Sequence, residues 1–233
     1  MNGSVYLIPT FLHEEARDTL PAYILDCIKK CDAFFVENER TARRFLKSIW
    51  REMVIDDYTW FAIHKAEEQV LQQFTALLQQ GKHIGIISEA GCPGIADPGQ
   101  VLVEAAQKID ATVKPLVGPS SILLALMGSG MNGQQFNFNG YLPIDSSERK
   151  ASIKELETES AQKKCTQIFI ETPFRNNALV KELVQTCKPE TRLCIAIDLT
   201  SSNEFIKTKT IGAWRRELPE LHKKLGIFLI YAG

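Results

Sequence analysis

Twelve residues, SEAGCPGIADPG from Ser88 to Gly99, gather three glycines, two prolines and two carboxylates. Glycine lets main chain approach a ligand with no Cβ between them, and proline holds the path of such a loop rigid. Asp97, just before Pro98, is a candidate cap for the helix that follows. Capping accounts for Asp97 but not for Glu89, Gly91, Pro93 or Gly94, so the stretch reads as a loop built to cradle a ligand. GPSS (118–121) is a second turn of this kind. Its Ser120 and Ser121 either cap the next helix or turn hydroxyls and amides toward a ligand. NGYLP (139–143) and ETPFR (171–175) punctuate two further strand ends, and four such loops could converge on one cleft.

A second signal is cationic. Arg40, Arg43, Arg44, Lys47 and Arg51 are spaced 3, 1, 3 and 4 apart, which puts them on one side of a helix. They form either a solvated face or a ridge of phosphate contacts suited to a nucleic-acid backbone. Two other patterns carry less. GSGMNG (128–133) spells GxGxxG, the fingerprint a nicotinamide-linked enzyme would need, but it follows a helical run and precedes a strand-like one. A dinucleotide site requires the reverse order, so a helix-terminating loop is expected. The six cysteines and four histidines (His13, His64, His83, His222) show no metal-ligand spacing. No metal is expected, and the cysteines read as buried reduced thiols.

The elements that must position these loops alternate between strand and helix. VYLIPT (5–10), DAFFVEN (32–38), MVIDDYTWF (53–61), HIGIIS (83–88) and ATVKPLV (111–117) read as strands. Between them lie helical stretches: 14–31, which Pro21 kinks or divides, 39–51, 65–82 with Gly81 as C-cap, and 100–109. This βαβ rhythm implies a mostly parallel sheet with flanking helices and ligands at the carboxyl ends of its strands. After Gly118 the texture changes: more strands, fewer crossovers, a hairpin near Ser201–Asn203 and a charged helix capped by Ser146 or Ser147. The expected architecture is therefore α/β in two domains, 1–117 with the parallel sheet and 118–233 with a mixed one.

Apolar content of 45% with 24% charged residues is that of a globular protein. No apolar run reaches the roughly 20 residues of a membrane span, and the first residues lack a signal-peptide pattern. The expected location is the cytoplasm, with no membrane partner. A formal net charge of −1 leaves any nucleic-acid partner to be met by a local patch.

In this order, SEAGCPGIADPG with LVEAA, LVGPSS, NGYLP and ETPFR resemble the S-adenosylmethionine-dependent tetrapyrrole methylase superfamily. Within it, VENERTARRFL is similar to a stretch of the bacterial small-subunit ribosomal RNA 2'-O-ribose (cytidine) methyltransferases. The resemblance implies a two-domain fold with S-adenosylmethionine in the cleft between the domains, and a homodimer. It puts donor contacts at Ile8, Pro9, Glu89, Ala90, Gly91, Cys92, Ser120, Ser121, Glu171, Thr172 and the main chain near Leu199. It implies methyl transfer to a ribose hydroxyl of 16S ribosomal RNA in the small subunit, with Glu37, Glu39 or Glu171 as candidate bases. Arg40, Arg43, Arg44, Lys47 and Arg175 would meet the RNA. The sequence departs from the family's pattern in its first loop, IPTFLHEE, which lacks the usual Gly and Asn, and at Glu89, Cys92 and Phe174, where Asp, Thr and His are usual. The E-L-T-K-x-H-E segment is reduced to DLTSSNE, and the family's longer basic C-terminal extension is not expected here. Two alternatives stay open: a small, tetrapyrrole-like molecule or a protein residue as methyl acceptor, and a divergent member that binds the donor, or nothing, without catalysis.

Overall fold

The computed structural model describes residues 2–63 and 67–233. His64 and the expected start of a helix at Lys65 lie outside the described residues. The chain divides into two compact units, Met1–Ser120 and Ser121–Gly233.

The first unit is a parallel sheet. Its strands are β1 (Ser4–Ile8), β2 (Ala33–Val36), β3 (Thr59–Ala62), β4 (Ile84–Ile87) and β5 (Thr112–Pro115), in the order β3-β2-β4-β1-β5. Between them run α1 (Ile24–Ile28), α2 (Glu39–Ile49), α3 (Glu67–Gln79) and α4 (Gln100–Lys108). Successive side chains of a strand point to opposite faces, and the sequence fills both. Val5, Leu7, Phe35, Ile84 and Ile86 pack in one buried cluster, whereas Tyr6, Ile8, Phe34, Val36 and Ile87 pack in another. The register sets the carboxyl ends level, since Ile8 and Val36 both lie opposite Ile87. The segments leaving β1, β2 and β4 therefore emerge side by side.

The second unit contains α5 (Ser121–Ser129), β6 (Phe136–Tyr141), α6 (Ser146–Lys163), β7 (Thr166–Glu171), α7 (Asn176–Thr186), β8 (Arg192–Ile197), β9 (Phe205–Thr210), α8 (Ile211–Trp214) and β10 (Gly226–Tyr231). Its sheet runs β6-β7-β10-β8-β9, with β6 and β7 parallel and the remaining pairs antiparallel. The mixed character and the β8–β9 hairpin match the sequence reading. GSGMNG begins in the last two residues of α5 and leads toward β6, as expected of a helix-terminating loop, with Gly130 at φ 66°.

Four local expectations are corrected. Residues 14–31 form no long helix: a 3-10 turn at Arg17–Thr19 ends where Leu20 goes extended before Pro21, and only α1 follows. The stretch 53–61 is not one strand, because Ile55–Asp57 is a 3-10 turn ahead of β3; two adjacent aspartates suit a turn better than a strand. The cap of α6 is Asp145 and not Ser146 or Ser147: its Oδ1 accepts from the N–H groups of Ser147 at 2.8 Å and Glu148 at 3.0 Å. A carboxylate is favoured there by the positive end of the helix. The helix α2 stops at Ile49, so Arg51 is not on it. Gly81, in contrast, closes α3 as read, at φ 82°, with its N–H on Leu78 O and that of Lys82 on Leu77 O. Among the described residues no helix is long and apolar enough to cross a membrane.

Candidate active site

In the first unit the strand tips interlock. Thr10, two residues past β1, donates its N–H to Gly91 O at 2.9 Å, a single bridge between the first loop and the 88–99 loop. Gly91 sits at φ 74°, and a Cβ there would lie 3.2 Å from both Leu12 and the carbonyl of Pro119. The positive φ favours glycine, and the space for a Cβ is tight. Gly118 is closer still to its neighbour, as an added Cβ would fall 2.2 Å from Pro9 Cβ. The Cys92 thiol reaches Gly118 O at 3.6 Å and Pro119 O at 3.5 Å, and burial pushes its pKa up. Pro9, Gly91, Cys92 and the 118–119 turn thus come together, with Ser120 next in the chain. Ile8 is buried in the core, which leaves its main chain as the available contact.

The 88–99 loop is braced from within. Asp97 accepts from Gly94 N (2.8 Å to Oδ2, 3.0 Å to Oδ1) and from Gly99 N at 2.7 Å. Gly99 is the cap residue of α4 and no side chain caps that helix, so Asp97 closes the loop on itself instead. Burial raises the Asp97 pKa, against the lowering effect of its backbone hydrogen bonds. Glu89 and Ala90 stay exposed at the rim. The N–H of Glu89 is held by Glu37 Oε2 at 2.6 Å.

Several of the other expected residues of this unit are already engaged. Glu39 pairs with Arg43 at 3.0 Å, and the Arg43 guanidinium lies over the Trp60 ring at 5.1 Å. Arg44 approaches Glu14 at 3.7 Å, both well exposed. Lys47 donates to the carbonyls of Arg51 at 2.5 Å and Met53 at 2.9 Å, so it fastens the end of α2. Of the five-cation ridge, Arg51 lies off α2, while Arg40, Arg44 and Lys47 are exposed on it and Arg43 is half-buried.

In the second unit Glu171 ends β7 with its side chain 1% exposed. Its Oε1 accepts from Arg175 Nη2 at 2.6 Å and Nε at 2.9 Å, and from Thr172 N at 2.6 Å. Arg175 is therefore a partner for a buried carboxylate rather than an unpaired cation. Leu199 is buried in the turn after β8, between Asp198 (φ 47°) and Thr200 (φ 70°). Ser121 opens α5.

Sequence reasoning passed over two residues of the first unit. Thr10 and Ser88 are 3% and 6% exposed, and neither hydroxyl has a hydrogen-bond partner among the described residues. Both line a cavity of about 200 Å³ beside α2. A lone Thr or Ser at a strand end carries no sequence signal; only the absence of a partner sets these apart. Among the described residues no group of His, Cys, Asp and Glu gathers to hold a metal.

Residues 16–214 match the family model of the tetrapyrrole (corrin/porphyrin) methylases. A protein of Vibrio cholerae named ribosomal RNA small subunit methyltransferase I is 32% identical over 209 residues, 88% of this chain and 69% of that one. One of the same name from Micromonospora olivasterospora is 32% identical over 182 residues, 78% of this chain but 55% of its own length. Among solved structures, the methyltransferase CobJ superposes with a TM-score of 0.65 at 16% identity, covering 98% of this chain and 94% of that one.

Proposed function

Because this chain belongs to the tetrapyrrole (corrin/porphyrin) methylase family, we propose that it is an S-adenosylmethionine-dependent methyltransferase acting on a ribose 2'-hydroxyl of 16S ribosomal RNA. The observation that carries the acceptor is the 32% identity, over 88% of the chain, to a protein named for methylation of small-subunit ribosomal RNA. The cytoplasmic location and the homodimer that the resemblance implies belong to the same reading.

The residues present fit the donor. Gly91 and Gly118 leave main chain where a Cβ would not go, and carbonyls of the 118–119 turn stand beside the thiol of Cys92. Carbonyl dipoles and the exposed carboxylate of Glu89 suit a sulfonium cation and sugar hydroxyls. When bound, the donor supplies an activated methyl group. The chain supplies position and exclusion of water: Thr10 pins the 88–99 loop through Gly91, Asp97 keeps that loop closed, and Glu37 fixes the main chain at Glu89. In the second unit, Glu171 and Arg175 set the turn that holds Thr172. Glu37, Glu39 and Glu171 each already serve an N–H or a guanidinium, so the reading gives them positioning roles.

Small ribosomal subunits from cells lacking the protein, incubated with it and methyl-labelled S-adenosylmethionine, test the proposal. The label is expected in one 2'-O-methylated nucleoside after digestion of 16S RNA. Label on a base, or none despite donor binding by calorimetry, overturns the assignment of the acceptor.

A further inference from the structure

We propose that the cavity walled by the first loop, α2 and the tip of β4 is a ribonucleotide subsite for the acceptor strand, with the hydroxyls of Thr10 and Ser88 binding the sugar and Arg17 and Arg44 binding its phosphates. This rests on the RNA acceptor argued above.

Two buried hydroxyls without partners among the described residues, both in residues lining one cavity, mark it out. Buried polar groups are nearly always satisfied, and an unsatisfied one calls for a role. Each hydroxyl donates one hydrogen bond and accepts others, as a sugar hydroxyl does, so the pair matches ribose in either direction. The charges in the wall point to the same class of ligand. Arg17 and Arg44 are countered by Glu14 and Glu89, a balance that disfavours a free multivalent anion and admits a strand carrying one charge per phosphate. Arg44 is held only by an exposed contact of 3.7 Å to Glu14, which costs little to exchange for a phosphate. An edge-to-face pair, Phe11 and Phe45 with centroids 5.4 Å apart, gives the cavity an apolar wall.

Size narrows the choice. About 200 Å³ is below the roughly 300–1,000 Å³ typical of pockets for drug-sized ligands. It accommodates part of a nucleotide and not a tetrapyrrole macrocycle. The subsite also adjoins the proposed donor contacts, because Glu89 lines it and Thr10 is bonded to Gly91.

The test compares a short single-stranded oligoribonucleotide with its all-deoxy counterpart by fluorescence anisotropy, since the 2'-hydroxyl is what separates the two. Wild-type protein should bind the ribo form more tightly. The double variant Thr10→Val/Ser88→Ala retains the main-chain bond to Gly91 and should lose about tenfold in ribo affinity while leaving the deoxy affinity as it was. A folded double variant that keeps its preference for ribose overturns the proposal, and so does one that loses ribo and deoxy affinity alike. Should that variant not fold, Arg17→Gln/Arg44→Gln must weaken ribo and deoxy binding alike with donor affinity intact; unchanged binding overturns the subsite. Hydroxyl-dependent preference for ribose without methyl transfer to the small subunit would sustain the subsite and sink the functional reading. Methyl transfer with an indifferent double variant would do the opposite.

Discussion

Arg149 and Glu182 are the best-buried ion pair among the described residues, their side chains 8% and 13% exposed. The guanidinium meets both carboxylate oxygens, at 2.5 and 2.9 Å, and its Nη1 donates to the carbonyls of Pro143 and Ile144. The Arg149 hydrogen bond, more than any other influence, holds the Glu182 carboxyl below its ordinary value of 4.5. A carboxyl whose pKa falls on folding stabilises the protein above its unfolded pKa. That contribution is lost as the pH drops through the folded value. Arg149→Met removes the partner and leaves Glu182 buried with its charge. The loss expected at neutral pH is about 3 kcal/mol. The pH dependence then changes sign at this position, because an unpaired buried carboxylate is relieved by protonation. Urea midpoints of wild type and variant, measured at neutral pH and near 4.5, should converge on acidification. Parallel midpoints would show that the pair contributes nothing.

Between the end of β1 and the turn after β5, Pro9 and Gly118 touch so closely that an alanine at 118 cannot be housed without moving main chain, its Cβ being 2.2 Å from that of Pro9. Gly118→Ala should therefore keep the sheet, judged by far-ultraviolet circular dichroism, while weakening S-adenosylhomocysteine binding about tenfold or more by calorimetry. Unchanged affinity would place the donor elsewhere. These tips were legible in the sequence because glycines and prolines interrupt short β-branched runs, and both patterns are local. What stayed illegible depends on partners far along the chain. Nothing near Lys47 announces that it will fasten residues 51 and 53 instead of facing phosphate. Arg175 reads as a cation until Glu171, four residues back, turns inward to meet it. Similarly, Asp145 displaces Ser146 and Ser147 as the α6 cap through one oxygen that serves two N–H groups, a choice composition cannot rank. Pro21 signalled a division of 14–31 but not how little helix would remain.

At the scale of the whole chain, 27 basic residues against 28 acidic ones give a formal charge of −1, so no general attraction draws RNA to this protein. Any attraction must come from cations that are both clustered and unspent. Among the described residues one such cluster stands at the cavity, with Arg17 and Arg44 in its wall and Arg40 exposed on the same helix as Arg44. Each phosphate neutralised on a single strand contributes about −0.7 to the slope of log affinity against log salt. Three such contacts predict a slope near −2 for a short oligoribonucleotide, far shallower than a basic RNA-binding protein would show. Arg40→Gln/Arg44→Gln should flatten it by more than one, whereas Arg43→Gln should cost stability through Glu39 and Trp60 and leave the slope alone. A slope that survives the first pair of substitutions would mean that RNA is met by another face of the molecule.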